Sequence, residues 1–247
     1  MEEYAAKLIQ WLQQRAEEAG ALGAVVGISG GVDSATVAAL CLRAFPEHTL
    51  GVVMPCHSDP ADIEDAYFVA RTLGVPTTTV VLDLVYDGLL EALRASPYYG
   101  DHPIALANLK PRLRMATLYF FANRLNRLVV GTGNRSEAYV GYFTKYGDGG
   151  VDVLPLGNLT KREVRELARH LGVPQRIIEK PPSAGLWPGQ TDEGELGITY
   201  AQLDAYLLGE SVPAEVASRI EVLHRASMHK RALPPVPDFF PQERRSR

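Results

Sequence analysis

The chain has 247 residues, 46% of them hydrophobic and 22% charged, which is enough to bury a full core in one substantial globular domain. A formal net charge of −4 gives no whole-molecule field for a polyanion, which argues against a nucleic-acid partner, although a local basic patch stays open. No apolar run approaches the ~18 residues that span a bilayer. The start, Met1-Glu2-Glu3-Tyr4, is acidic where a signal peptide is basic, so a cytoplasmic protein with no membrane partner is expected. Cys41 and Cys56 are too few for a disulfide framework, and neither suggests a metal.

Residues 4–19 place Ala5, Leu8, Ile9, Leu12 and Ala16 at helical spacing, the stripe of a covering helix. The apolar run Ala24-Val25-Val26-Gly27-Ile28 then predicts a strand, and a helical pattern follows over 34–44. Between them lies Ser29-Gly30-Gly31-Val32-Asp33-Ser34, a glycine-rich bend at the end of a strand and the start of a helix. Such a bend aims backbone N–H groups and the positive end of a helix dipole at one point, where a phosphate fits. Asp33 repels phosphate unless a divalent cation lies between them, so it predicts magnesium. An ordinary turn with Ser or Asp capping the helix is the alternative.

Residues 49–54 predict a second strand, buried on both faces as in a parallel sheet. Asp59 as N-cap and Pro60 at the first helical position open the next helix, which Gly74 ends. The β-branched run 77–82 predicts a third strand. Strands alternating with helices define an α/β protein, a doubly wound parallel sheet flanked by helices, with ligands at the carboxyl ends of the strands.

Prolines and polar groups over 96–105 predict a loop. The segment 106–127 reads as a long helix apolar almost all round, through Leu109, Leu113, Leu118, Phe120, Phe121 and Leu125. Such a helix is buried from several sides, and a second subunit must cover what one domain leaves bare, so a homodimer is expected. Leu128-Val129-Val130 predicts a fourth strand, ending in Gly131-Thr132-Gly133-Asn134-Arg135-Ser136-Glu137. If the first and fourth strands are neighbours, Glu137 completes a magnesium site with Asp33; read alone, Ser136-Glu137 is a helix start.

Residues 138–160 combine glycines with Tyr139, Tyr142, Phe143 and Tyr146, and with Lys145, Asp148 and Asp152, a composition suited to a closely approached ligand. Thr160 and Glu163 form a capping box opening a helix on Val164, Leu167, Ala168 and Leu171. Lys161 at its first position opposes the helix dipole, which is explained if an anion sits at the same end; an exposed lysine is the alternative. Residues 180–197 read as an extended, lid-like loop. Helices at about 199–208 and 213–228, His229-Lys230-Arg231 and a proline-rich tail close the chain.

Ser29–Ser34 resembles the pyrophosphate-binding loop of the ATP pyrophosphatases, which cleave ATP between its α and β phosphates and pass AMP to an acceptor. With GTGNRSE at 131–137, GYFTKYGDGGVDVLPLGNLTK at 141–161, KPPSAGLWPGQTDEGELG at 180–197 and HKR at 229–231, the chain looks like the ammonia-dependent NAD synthetases over nearly its whole length. The resemblance implies a single synthetase domain over 1–247, with 229–247 in part contacting substrate, and an adenine nucleotide alpha hydrolase-like fold. It implies that deamido-NAD is adenylated by ATP and then amidated by ammonia, giving NAD, AMP and pyrophosphate.

By the same resemblance, Gly27, Ile28, Ser29, Gly30, Gly31, Val32, Asp33 and Ser34 hold ATP, together with Thr132, Lys161 and Ser183, where threonine would serve as well. Asp33 and Glu137 hold magnesium, and Arg112, Lys145, Asp152, His229 and Lys230 bind deamido-NAD. Asp33, Lys161 and Asp148 carry catalysis, Asp148 near the reacting nicotinate. Arg114 is an equally available cation beside Arg112, and Met54–Asp59 matches no family pattern, so adenine and ribose contacts there stay open. The synthetase blocks use up the 247 residues, so free ammonia rather than an appended glutaminase is the expected nitrogen source. Another ATP pyrophosphatase, such as a tRNA thiolase, would need reactive cysteines and a basic surface; a nucleotide-binding module without turnover is the reading from another class.

Overall fold

The computed structural model describes residues 1–238 apart from Asp101 and Pro188. Four short strands, β1 (Ala24–Gly27), β2 (Thr49–Val53), β3 (Thr77–Thr79) and β4 (Leu128–Val129), form an all-parallel sheet in the order β3-β2-β1-β4. The chain moves outward from β1 to β3 on one side and then returns to add β4 on the other. Strand order therefore reverses between β1 and β4, and the crevice outside their carboxyl ends is where such sheets bind ligands.

Alternation along β1 divides the interior into two cores. Ala24, Val26 and Ile28 face one, with α1 (Glu2–Glu18), α2 (Val32–Ala44) and α8 (Lys161–Leu171). Val25 faces the other, with Val52, Val129 and residues of α4 (Asp83–Arg94) and α6 (Leu109–Leu125). Both faces of the sheet are thus covered by helices, as the apolar runs of β1 and β2 require. A third core joins Val140 of α7 (Arg135–Val140) to Leu196 of α10 (Asp192–Leu196), Tyr200 and Leu203 of α11 (Tyr200–Leu207) and Ile220 of α12 (Ala214–Ala226). The remaining helices are α3 (Pro60–Leu73), capped by Asp59 as expected, α5 (Pro103–Ala107) and α9 (Gln175–Ile178).

Several expectations are corrected. Residues 103–105 of the predicted loop lie in a helix, and the long helix predicted over 106–127 is broken at Asn108 into α5 and α6. The helix packed on all sides is α2, whose residues Ala35–Cys41 are all buried, whereas α6 keeps Phe120 65% exposed. Its apolar composition therefore marks a half-covered face. Strand β3 ends at Thr79 instead of 82, helix α4 had no sequence expectation, and α10 closes the segment read as an extended loop to 197. No helix among the described residues is long and apolar enough to cross a membrane.

Candidate active site

The turn after β1 needs glycine for two reasons. Gly30 has φ +82, and a Cβ there would lie 2.7 Å from the Asp62 carbonyl oxygen. Around it, the Ser34 hydroxyl donates to Gly31 O at 3.0 Å and accepts from Ser29 N at 3.2 Å, which holds the turn's shape. Gly31 is the N-cap of α2 and no side chain caps that helix, so its first turn still presents donors toward the crevice. The positive end of α2 therefore faces the β1–β4 opening.

Across the crevice, Asn134 opens α7 with a capping box: its side chain accepts from Glu137 N at 3.0 Å, and Glu137 Oε2 accepts from Asn134 N at 3.2 Å. The helix start anticipated at Ser136-Glu137 thus lies two residues earlier. Asn134 is fully buried, and its amide donates to Asp33 Oδ1 at 3.0 Å, joining the two halves of the crevice.

Lys161, 2% exposed, donates from Nζ to Asp33 Oδ2 at 2.5 Å and to Glu137 Oε1 at 3.0 Å. The adjacency of β1 and β4 therefore brings Asp33 and Glu137 onto one cation position. Burial is the largest influence on Glu137 and pushes its carboxyl up to about 7, with Asp33 adding to the shift and Lys161 opposing it. Burial works to lower the Lys161 pKa, but Asp33 and Glu137 outweigh it and hold the ammonium above the ordinary lysine range. The Lys161 ammonium also lies 4.9 Å from the Tyr200 ring centroid. The Tyr200 hydroxyl donates to Asp192 Oδ2 at 2.9 Å, with Glu137 Oε1 more distant at 3.4 Å, and burial raises the phenol far above its usual range.

The anion expected at the start of α8 is internal. Asp204 Oδ1 and Oδ2 accept from Lys161 N at 3.3 Å and Arg162 N at 2.7 Å, and Ser136 Oγ donates to the same carboxylate at 2.5 Å. The helix end is therefore filled by Asp204, while the Lys161 side chain turns to the carboxylates of the crevice. Asn134, Asp192, Tyr200 and Asp204 all escaped the sequence reading. Only Asn134 had a local signal, the N-x-x-E of a capping box.

Two carboxylates converging on one position suit magnesium, which is held by one or two carboxylates with water and phosphate oxygens completing its shell. Among the described residues no group of three or more His, Cys, Asp or Glu side chains is placed to hold a metal ion, so the pair Asp33 and Glu137 is what the chain offers one. Charge argues the same way: Asp33, Glu137 and Asp192 outnumber Lys161 at the place where the α2 turn invites a phosphate. The donor set fits the cation.

A second group gathers on the loop after α7. Lys145 Nζ donates to His229 O at 2.7 Å, Arg112 Nη2 reaches Lys145 O at 3.4 Å, and Lys230 Nζ donates to Gly141 O and Phe143 O, both at 2.7 Å. Asp148 Oδ1 accepts from Thr144 N at 2.9 Å; desolvation raises its carboxyl pKa, although this hydrogen bond and Lys230 oppose the shift. Arg112, Lys145, Asp148, His229 and Lys230 thus share one surface. Asp152 stands apart, accepting from Val129 N at 2.7 Å and from the Tyr119 hydroxyl at 3.0 Å. Thr132 follows β4 and is half-buried, whereas Ser183 is exposed and spends its hydroxyl on Gln190 O at 2.8 Å. Arg114 is committed elsewhere, to Met54 O and Ser58 Oγ, both at 3.1 Å, which separates it from Arg112.

A parallel α/β sheet with an uncapped, glycine-turned helix start at its switch point, faced by paired carboxylates and a buried lysine, defines an ATP-using enzyme of the adenine nucleotide alpha hydrolase-like class. The NAD synthase family profile matches residues 4–234, and the chain belongs to that family. It is 54% identical to the NH(3)-dependent NAD(+) synthetase of Carboxydothermus hydrogenoformans, over 96% of this chain and 97% of that one. It is 48% identical to the protein of the same description from Archaeoglobus fulgidus, over 93% and 94%. Among solved structures, the NH3-dependent NAD synthetase of Campylobacter jejuni superposes with a TM-score of 0.79 at 28% identity, over 96% of this chain and 98% of that one. The NMN synthetase of Francisella tularensis superposes with a TM-score of 0.91 at 40% identity and the same coverage.

Proposed function

We propose that the chain is an ammonia-dependent NAD synthetase, a ligase that converts deamido-NAD, ATP and ammonia into NAD, AMP and pyrophosphate. The observation that carries the reading is Lys161 Nζ lying 2.5 Å from Asp33 and 3.0 Å from Glu137 beside the α2 start. The nicotinate carboxylate of deamido-NAD attacks the α-phosphorus of ATP; a P–O bond forms and pyrophosphate leaves. Ammonia then attacks the carbonyl carbon of the adenylate, a proton is lost, and AMP departs with the former carboxylate oxygen. No covalent enzyme intermediate is needed, so the protein acts by positioning and charge stabilisation.

In this reading Gly27–Ser34 and the start of α2 cradle the ATP phosphates, with Thr132 and Ser183 as further contacts. Asp33 and Glu137 hold magnesium, which when bound offsets charge on the departing pyrophosphate. Lys161 neutralises the same region. Arg112, Lys145, Asp152, His229 and Lys230 take deamido-NAD, with Asp148 beside the nicotinate. The segment 54–59, pinned by Arg114 and by His57 N donating to Asp83 Oδ1 at 2.7 Å, lies at the end of β2 and suits the adenosine end of ATP. The apolar face of α4 and α6 supports a homodimer, and two free buried cysteines fit a reducing, cytoplasmic setting.

The test is product stoichiometry. NAD, AMP and pyrophosphate should form in equal amounts from deamido-NAD, ATP and ammonium, and heavy-oxygen label in the nicotinate carboxylate should emerge in AMP. Pyrophosphate release without deamido-NAD, or label retained in NAD, would sink the reading.

The likeness to an NMN synthetase at 40% identity raises a second acceptor, nicotinate mononucleotide, which shares the reacting nicotinate and its ribose phosphate. Comparison of kcat/KM for the two acceptors under identical ATP and ammonium decides how far it is used.

A further inference from the structure

Among the described residues Arg231 is the last in the chain whose side chain hydrogen-bonds to the rest of the protein, and its guanidinium grips two helix ends at once. Nη1 donates to Ala138 O and Tyr139 O of α7, each at 3.0 Å, and to Ser227 Oγ at 2.8 Å. Nη2 donates to His224 O in the last turn of α12 at 2.6 Å. The final carbonyls of a helix lack intrahelical partners and carry its negative dipole end, so a planar, permanently charged fork satisfies several of them together. Beside it, Gly141 ends α7 with φ +71, and a Cβ there would meet Ser227 Cβ at 2.1 Å. Only glycine lets α12's end sit this close, and Arg231 fastens the contact.

Between these helix ends runs the single turn Met228–Lys230. Its His229 is exposed and the turn has no buried residue to hold it. Its placement rests on polar bonds: Lys145 on His229 O, Lys230 on Gly141 O and Phe143 O, and Arg231 on the flanking helices. Lys145 and Lys230 belong to the deamido-NAD set itself, so Arg231 is the clamp that substrate binding leaves in place.

We propose that Arg231 is a positioning residue for the deamido-NAD site: by joining the end of α7 to the end of α12 it sets where His229 and Lys230 meet substrate. The proposal rests on the reading of 229–230 as substrate-binding. Displacement of the turn by an ångström weakens acceptor binding and leaves the phosphate crevice, built at the other end of α7, unchanged.

The experiment is steady-state kinetics of the full-length enzyme with Arg231→Gln and Arg231→Lys, alongside His229→Ala. Arg231→Gln is expected to raise KM for deamido-NAD about tenfold or more while KM for ATP and the melting temperature barely move. Arg231→Lys keeps the charge but not the fork, so it should fail to restore KM; full restoration shows a merely electrostatic role and overturns the proposal. Unchanged KM in Arg231→Gln, or equal rises in both KM values with loss of stability, also overturns it. His229→Ala separates the two readings. If it raises KM for deamido-NAD and Arg231→Gln does not, the substrate site stands and the clamp falls; if it has no effect, the site reading falls and the clamp with it.

Discussion

The Asn134 amide donates to Asp33 Oδ1 across 3.0 Å, so a residue 101 positions further along the chain fixes the carboxylate that follows the glycine turn. The same side chain caps α7 and places Glu137. One buried amide therefore orients both carboxylates of the crevice. Asn134→Ala removes the cap and the bridge together. We expect a loss of about 1 kcal/mol from the cap alone, and a loss of activity larger than that stability change explains. Asn134→Asp keeps the cap acceptor but sets a third carboxylate against Asp33. Its activity should fall while its melting temperature recovers as magnesium is added. Wild-type activity in Asn134→Ala would remove the bridge from the mechanism.

Lys161→Met replaces the buried ammonium by an apolar chain of similar length and leaves Asp33 and Glu137 without a counter-charge. Breaking a buried pair in this way costs about 3–5 kcal/mol, so the melting temperature should fall clearly. Turnover should drop by about 10²-fold or more if the ammonium stabilises the transferring phosphate. Magnesium added without nucleotide should stabilise Lys161→Met more than the wild type, because the vacated position is framed by two carboxylates. Melting curves of both proteins that are indifferent to magnesium even with ATP present contradict the proposed metal site.

The parts legible in the sequence are those whose chemistry is local. Ser29–Ser34 declares itself because a turn of positive φ after an apolar strand needs glycine, and Thr160 with Glu163 because a capping box has fixed spacing. Lys161 is legible through its awkward place at a helix start and through the family resemblance. The anion answering it, Asp204, is supplied by α11 from 43 residues away, and no local pattern in Tyr200–Leu207 distinguishes that carboxylate from a solvated one. Tyr200 and Asp192 were hidden for the same reason, since a buried polar network is made by tertiary packing. The burial of α6 was misjudged because composition shows that a helix is apolar and not which side meets the sheet. The real all-round core helix, α2, is rich in alanine and small enough to lie between α1, α8 and the sheet.

Tyr200→Phe deletes one oxygen atom at a fully enclosed position. The Asp192 carboxylate loses its 2.9 Å donor, and Asp192 Oδ1 has no partner of its own. Leaving a buried acceptor unsatisfied costs about 1–3 kcal/mol, so thermal unfolding should shift downward. The ring remains under Lys161, and the KM for ATP should therefore change less than in Lys161→Met. A variant as stable as the wild type would show that water replaces the hydroxyl.

Asp148 offers a pH test with a defined sign. Asp148 is exposed, so water screens the effect, but the chain packed around its carboxyl still raises its folded-state pKa above the ordinary 3.8, and the folded protein holds this proton somewhat more tightly than the unfolded chain. The stabilisation from Asp148 is complete below the unfolded value and is lost as pH rises through the folded one. Asp148→Asn keeps an acceptor for Thr144 N and cannot ionise. The variant should therefore gain stability relative to wild type as pH rises from about 3.5 to neutrality. Parallel melting curves for the two proteins across that range would show that Asp148 is as well solvated when folded as when unfolded.

The apolar face of α4 and α6 yields the last prediction. Leu84 is 85% exposed, Val85 52% and Phe120 65%, so α4 and α6, which pack on each other, both leave apolar side chains outside the second core. Exposed apolar area of this kind, where contiguous, marks an interface. The enzyme should sediment at twice its 27.0 kDa chain mass at micromolar concentration. Phe120→Asp places a charge on the exposed side of α6 and should produce monomers that keep their secondary structure, because Phe120 lies mostly outside its own chain's core and meets it through the edge of Phe121 at 5.3 Å. Leu84→Asp should act in the same direction and more weakly if the contact is centred on α6. A strictly monomeric wild-type protein, or dimers that survive both changes, would place the subunit contact elsewhere and leave this face without an assigned partner.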